Sequence, residues 1–156
     1  MLLNLLVGLP VMLLCLVMEA MIVVLCLHHY VRRYQHLGPA GGDGSALLWG
    51  FGVLGAVMLL MMLGYFLQIL VWAGLFMLLG EFGEFTTAVY YSGVTFATLG
   101  YGDIVLSKPW RLLGALEAGN GVLMLGISTG VMTAAVKEVI KHNLNRLQLG
   151  DLSNKS

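Results

Sequence analysis

Charged residues are scarce in this chain of 156 residues. Lys and Arg number eight and Asp and Glu number eight, so 10% of the residues are charged and the formal net charge is zero. A soluble domain carries about 25% charged residues, and a sequence with so few cannot cover the water-facing surface of a globule. It also lacks the basic face that neutralises phosphates, which argues against nucleic-acid binding. The composition therefore favours the lipid bilayer as the surrounding solvent.

Cysteine is rare as well, and its placement argues against a disulfide framework. Cys15 and Cys26 both lie inside the first apolar run, away from an oxidising aqueous phase, so we predict that they are packing residues. Arginine ladders are lacking from the apolar runs, which argues against a voltage sensor. Because no nucleophile or general-base constellation is present, we do not expect an enzyme.

Long apolar runs, by contrast, dominate the sequence. Residues 2–27 contain one charge, residues 46–80 contain none, and residues 112–136 contain one. A spanning helix needs about 20 apolar residues, so each run can cross a bilayer. Two spans and a turn need more than about 40 residues at that length, which favours one tilted helix for the middle run. The sequence therefore predicts three transmembrane helices.

The basic residues predict the orientation of these helices. Arg32 and Arg33 lie between the first two runs, and Lys137 and Lys141 follow the third, whereas residues 81–111 carry a small excess of acids. Basic flanks favour the cytoplasmic side. We therefore expect a multi-pass protein of the cell membrane, with its N-terminus outside and its C-terminus in the cytoplasm.

A glycine-rich stretch, residues 38–45 (GPAGGDGS), predicts a loop that separates the first helix from the rest. This divides the chain into three parts. Residues 1–45 hold an extra N-terminal transmembrane helix and a cytoplasmic loop, residues 46–137 form the main unit, and residues 138–156 are a short cytoplasmic tail.

The segment between the second and third runs is not an ordinary polar loop. Residues 85–97 (FTTAVYYSGVTFA) are apolar and aromatic, long enough for a short helix but too short to cross, which is typical of a re-entrant helix. Next come residues 98–103 (TLGYGD). Gly100 and Gly102 permit positive φ angles, so that successive carbonyls can face one direction, and Thr98 adds a hydroxyl oxygen. Four such columns around an axis would replace the hydration shell of a cation.

Residues 98–103 resemble the T-V-G-Y-G-D signature of the tetrameric potassium channel family. Residues 88–98 resemble that family's pore helix, and the glycines and Thr133-Ala134-Ala135 of the third run resemble its inner helix. The resemblance covers about residues 46–137, a pore domain. It implies an all-α membrane protein with three transmembrane helices, a re-entrant pore helix and a selectivity-filter loop, assembled as a homotetramer that conducts K⁺ passively.

The resemblance also implies a role for each filter residue. The K⁺ ligands would be the carbonyls of Thr98, Leu99, Gly100 and Tyr101. Gly102 would permit the backbone geometry, and Asp103 would brace the outer mouth. Because a Val stands where some relatives carry a Glu behind the filter, we predict that Tyr91 donates a hydrogen bond to Asp103. No cofactor is expected other than K⁺ ions in the filter, and the expected partners are the lipid bilayer and three further copies.

The glycines of the third run have two interpretations of equal weight. Gly121, Gly126 and Gly130 form either a gating hinge or a close helix-packing face. Three alternatives to a K⁺ channel also remain open. Leu99 replaces the commoner Val, so a non-selective cation channel of the same architecture is one. A non-conducting accessory subunit is another. A K⁺ uptake transporter is less favoured, because it would carry four pore loops in one chain.

Two acids inside the spans need partners. A carboxylate at the centre of a span costs about 2.5–3.5 kcal/mol. We predict that Glu117 braces the pore helix and that Glu19 packs against the second span with Gln68 as partner, in preference to acting as a proton sensor.

Overall fold

The computed structural model describes the backbone of residues 1–36 and 43–153, and the side chains of residues 1–25, 52, 54–137 and 139–141. The described backbone is helical, with no strand. Its elements are α1 (Leu2–His36), α2 (Asp43–Leu78), α3 (Phe85–Phe96) and α4 (Arg111–Ser153).

Three of these helices are long and apolar enough to cross a membrane. The candidate spans are Leu2–Leu25 in α1, Leu54–Leu78 in α2 and Arg111–Lys141 in α4. Helices suit this role because every backbone N–H and C=O is bonded within the segment, away from water. The prediction of three spans is confirmed, and the middle run is one helix, as expected.

One helix start differs from the prediction, and one helix runs past its apolar part. Residues 43–45, predicted as the end of the glycine-rich loop, form the first turn of α2. Aspartate is favoured at a helix start, because a negative charge there stabilises the positive end of the helix dipole. The remainder of that predicted loop lies outside the described residues. The third run continues as helix through residue 153, well beyond its apolar part.

The helices pack so that α3 is held by α2 and α4, while α1 contacts α2 and α4. Buried residues on α1 are Asn4, Gly8, Cys15 and Glu19, which share one face of the helix. The opposite face exposes large apolar side chains, as expected of a helix in contact with lipid. The first helix is therefore an integral part of the bundle, although the glycine-rich loop suggests an appended one.

An aromatic cluster joins α2 to α3 at the core. The Phe76 ring meets the Tyr91 ring edge-on, with centroids 5.3 Å apart, and meets the Phe82 ring in the same way at 6.2 Å. Trp72 and Cys15 are fully buried beside this cluster. Burial confirms Cys15 as a packing residue, and the Cys26 side chain lies outside the described residues.

Candidate functional site

The approach to α3 begins with a sharp end to α2. Gly80 has a φ of 74°, its N–H donates to the Met77 carbonyl at 3.0 Å, and the Glu81 N–H donates to the Phe76 carbonyl at 3.0 Å. These two bonds form the Schellman motif, in which a left-handed glycine satisfies the last carbonyls of a helix. The chain thus reverses within a few residues and enters α3 at Phe85.

The segment after α3 has a regular alternation of backbone angles. Thr98, Gly100 and Gly102 have φ values of 59°, 54° and 75°, whereas Leu99 and Tyr101 are outside the positive-φ region. Glycine adopts these angles at no steric cost, as we predicted for Gly100 and Gly102. The positive φ of Thr98 was not predicted. Among the described residues Thr98 is the one non-glycine with positive φ, and no sequence signal indicates that a threonine adopts this angle.

The hydrogen bonds of this segment fix the direction of its carbonyls. The N–H groups of Leu99 and Gly100 both donate to the Val94 carbonyl, at 2.9 and 3.4 Å. In a trans peptide the C=O points opposite to the N–H of the next residue. The carbonyls of Thr98 and Leu99 therefore point away from α3, on the side where the segment is exposed.

Asp103 is braced by Tyr90, the residue next to the Tyr91 that we predicted as its partner. The Tyr90 hydroxyl donates to Asp103 Oδ2 at 2.7 Å, and this bond lowers the pKa of the Asp103 carboxyl from its ordinary value of 3.8. The predicted Tyr91–Asp103 bond is wrong. Successive helical residues point about 100° apart, and Tyr91 is turned inward, with its ring on Phe76 and its hydroxyl against Gly114.

A second carboxyl group holds the loop that follows the filter-like segment. Glu81 accepts from the Ser107 N–H at 2.7 Å and from the Ser107 hydroxyl at 2.5 Å. The Arg111 side chain donates to the Leu106 carbonyl at 3.3 Å. These bonds tie the loop to the connection between α2 and α3 and to the first residue of α4. Sequence reasoning missed the Glu81–Ser107 pair, because nothing in the intervening residues indicates which serine the glutamate reaches.

Both acids inside the candidate spans bond to the helices predicted for them. The Ser92 hydroxyl of α3 donates to Glu117 Oε1, and the Gln68 side-chain amide of α2 donates to Glu19 Oε2 at 3.0 Å. All four side chains are fully buried. Glu117 therefore braces α3 against α4, and Glu19 joins α1 to α2.

The glycines of α4 differ in their surroundings. A Cβ atom on Gly121 would lie 1.9 Å from the Phe96 carbonyl oxygen at the end of α3, whereas one on Gly126 or Gly130 would meet nothing within 4 Å. Gly121 is thus a close-packing residue. The hinge interpretation stays a prediction for Gly126 and Gly130, where α4 is a continuous helix.

Comparison with known proteins assigns a class to this arrangement. Residues 64–138 match a family model described as "Ion channel", a region that contains the C-terminal part of α2, all of α3, the segment after it and the apolar part of α4. Among curated proteins and solved structures, no match to this chain was found. The family match and the three candidate spans support a multi-pass membrane protein that conducts ions. The family match also favours a channel over an enzyme.

Proposed function

We propose that this protein is a potassium-selective channel of the cell membrane. Four copies form a homotetramer around one conduction pathway, and K⁺ moves passively down its electrochemical gradient. In each copy α2 is the outer helix, α3 the re-entrant pore helix, residues 98–103 the selectivity filter and α4 the inner helix. The N-terminus lies outside the cell and the C-terminus in the cytoplasm, in agreement with the basic residues that follow the candidate span of α1 and those in α4.

One observation carries this proposal, namely the alternation of positive and non-positive φ from Thr98 to Gly102. Alternation of this kind turns successive carbonyls of a strand to one side. Here the N–H groups of Leu99 and Gly100 point back to Val94, which leaves the oxygens free to act as ligands. Rings of backbone carbonyls are the means by which potassium channels replace the hydration shell of the ion.

The end of α3 favours a cation at the same place. A helix C-terminus carries a partial negative charge, and the last turn of α3 contains no basic residue that would neutralise it. The segment between α2 and α4 also carries a small excess of acids, with Glu81, Glu84 and Asp103 against Lys108 and Arg111. An excess of one sign of charge raises the local concentration of counter-ions.

Assembly of four copies follows from the same geometry. One column of carbonyls cannot surround an ion, so a single chain is incomplete as a filter. The large side chains of Leu99 and Tyr101 are 56% and 66% exposed in one chain, and a crevice of about 510 Å³ opens between the filter segment, α3 and the start of α4. Neighbouring copies packed around the axis would cover these surfaces.

The test is ion flux in liposomes with K⁺ on one side and Na⁺ on the other. We expect a reversal potential that follows the K⁺ gradient. Gly100→Ala should abolish selective flux, because an L-residue in the left-handed region costs about 1–2 kcal/mol in each copy. Gly83→Ala is the matched control, since a Cβ there meets nothing within 4 Å and its φ is not positive.

Each rival predicts a different result in that assay. A reversal potential that ignores the K⁺ and Na⁺ gradients would establish a non-selective cation channel. No flux from the purified wild-type chain would favour an accessory subunit. A native mass other than that of four copies would overturn the homotetramer.

A further inference from the structure

Six fully buried side chains, two on each of three helices, form a continuous polar cluster that we call the buried seam. On each helix the two members lie about one turn apart, so that they share a face. The members are Cys15 and Glu19 of α1, Gln68 and Trp72 of α2, and Glu117 and Asn120 of α4.

Gln68 is the centre of the seam. Its side-chain amide nitrogen donates to Glu19 Oε2 at 3.0 Å, and its oxygen accepts from the Asn120 amide nitrogen at 3.4 Å. One glutamine thereby joins α1 to α4 through α2. Hydrogen bonds of this type hold membrane helices together where the hydrophobic effect gives no preference.

The seam continues to the pore helix. Cys15 lies beside Asn120 and Trp72, and Glu117 is one turn before Asn120 on α4. Glu117 accepts from the Ser92 hydroxyl of α3. Buried polar contacts therefore lead from α1 to Asn120 of α4, and the helix itself carries the path on to Glu117 and so to α3. Helices α1 and α3 share no direct packing among the described residues.

Glycine provides the space for Glu19. A Cβ atom on Gly64 would lie 2.5 Å from Glu19 Oε2 and 3.2 Å from Ile22, so α2 approaches α1 closely where the carboxyl group is buried. The outer end of α1 is fastened separately, since the Asn4 amide donates to the Pro109 carbonyl at 2.8 Å. That carbonyl belongs to the loop between the filter segment and α4. The first helix is thus bonded at two levels to parts of the chain that surround the filter.

Loss of one partner in the seam is costly. Within the described residues, Glu19 Oε1, Glu117 Oε2 and Asn120 Oδ1 already have no hydrogen-bond partner. Each of these side chains therefore depends on a small number of bonds, and a buried polar group left without any is strongly disfavoured. A change at Glu19 leaves the Gln68 amide nitrogen without its acceptor. A Gln68 side chain that turns to find a new partner also disturbs the bond it accepts from Asn120.

We propose that α1 is a positioning element for the filter, acting through the buried seam on Glu117 and Ser92 and so on α3. This inference rests on the proposed channel function for its effect on selectivity, but not for its effect on the pore helix. In the absence of the seam, α3 loses the support that fixes its depth and rotation.

The first test measures hydrogen exchange of the full chain by mass spectrometry. Glu19→Leu removes the acid yet keeps α1 apolar. We expect protection of amides in residues 88–96 to fall at least about fivefold, the lower end of typical coupling between sites. Met21→Leu is the matched control, because Met21 lies on the exposed face of α1. Exchange in α3 that is unchanged by Glu19→Leu would overturn the proposal.

Rescue variants separate positioning from general folding. Glu19→Gln keeps a carbonyl oxygen for the Gln68 amide, and the double variant Glu19→Gln with Gln68→Glu exchanges the two groups and lets the new carboxylate accept from Asn120. Both should restore protection in α3 to within about twofold of wild type. If neither does while the chain still folds and inserts, the seam does not act through these bonds and the proposal fails.

The second test is the K⁺ to Na⁺ permeability ratio of the same variants in liposomes. Glu19→Leu should lower the ratio at least about fivefold, and Met21→Leu and the double variant should leave it unchanged. A variant that lowers total flux at constant ratio would show that the seam contributes to folding only, which contradicts positioning. If wild type conducts no K⁺, the proposed function fails, and the exchange experiment still decides the role of α1.

Discussion

Residues 98–103 and the buried seam are two polar regions of the described part of the chain, and they differ in which atoms carry the polarity. Residues 98–103 present backbone carbonyls, and their side chains are exposed or absent. The seam presents side-chain groups from three helices. The comparison shows two ways to place oxygen atoms inside a membrane protein: unwinding the backbone beside a helix end, or pairing side chains between helices.

Each solution has its own sequence requirement. Backbone carbonyls need residues that tolerate positive φ, so glycine recurs at alternate positions. Side-chain pairs need complementary donors and acceptors at matching depths on different helices, so their members are scattered through the chain. The following predictions test that contrast, starting at the point where the two regions meet.

Gly121→Ala should have the largest effect, since it pushes a methyl group into the carbonyl of Phe96. The end of α3 cannot yield without moving the filter segment. We expect a loss of more than about 3 kcal/mol in stability, above the usual cost of overpacking, together with loss of K⁺ flux. Thermal unfolding and liposome flux measure both. Gly126→Ala, whose Cβ meets nothing within 4 Å, should be close to wild type; equal damage from the two would contradict this assignment.

Glu117→Leu should come next. Its removal leaves the buried Ser92 hydroxyl without its partner on α4, which costs about 1–3 kcal/mol. Glu117→Gln keeps an acceptor at the same place and should retain most of the stability. Thermal unfolding of both purified variants in one detergent gives the comparison. A glutamine variant as unstable as the leucine variant would mean that the charge, and not the bond, holds α3.

Tyr90→Phe tests the outer mouth through its pH dependence. The Tyr90–Asp103 bond lowers the pKa of Asp103 below 3.8. The stability that this bond gives the outer mouth is therefore fully present above that ordinary value and is lost as pH falls through the lowered pKa. Without the Tyr90 hydroxyl, the pH at which half of the flux is lost in acid should move up, toward 3.8. Flux measured against external pH shows the midpoint.

Tyr91→Phe is the matched control for that experiment, because it removes a hydroxyl from the adjacent residue without touching Asp103. Its pH midpoint should equal that of wild type. If the Tyr91 variant shifts the midpoint and the Tyr90 variant does not, the assignment of the Asp103 partner is wrong.

Ser107→Ala should have the smallest effect. It removes one of the two bonds to Glu81 and leaves the bond from the Ser107 N–H. An exposed hydrogen bond contributes about 0.5 kcal/mol, so stability should change little. Hydrogen exchange of residues 104–110 should rise by about two- to threefold, while K⁺ selectivity stays constant. A change in selectivity would show that the loop after the filter is coupled to it more tightly than these contacts indicate.

Much of the fold was accessible from local patterns. Three spans, a single helix for the middle run and a short helix at Phe85–Phe96 follow from run length and hydrophobicity, which act on contiguous residues. The start of α2 was misplaced by three residues, because glycine and serine mark loops by composition but are admitted at the first turn of a helix. The partners of Glu19 and Glu117 were predictable because a buried acid in lipid must find a hydrogen bond.

Local sequence patterns did not predict how each helix is rotated about its own axis. Tyr90 and Tyr91 are adjacent and chemically identical, and only the packing of α3 against Phe76 and Gly114 decides which of them reaches Asp103. The positive φ of Thr98 likewise depends on how residues 99 and 100 bond back to Val94.

By itself, the sequence determined that the chain has three helices long and apolar enough to cross a membrane, and that glycines stand on both sides of Tyr101 where positive φ is required. Those properties depend on hydrophobicity and backbone sterics, which each residue brings with it. Only the tertiary structure decided that Asn120 completes a seam from α1 to α4 and that Gly121 packs against Phe96. It also decided that Asp103 accepts its hydrogen bond from Tyr90. These depend on the depth and rotation of one helix against another, which the packed bundle sets as a whole.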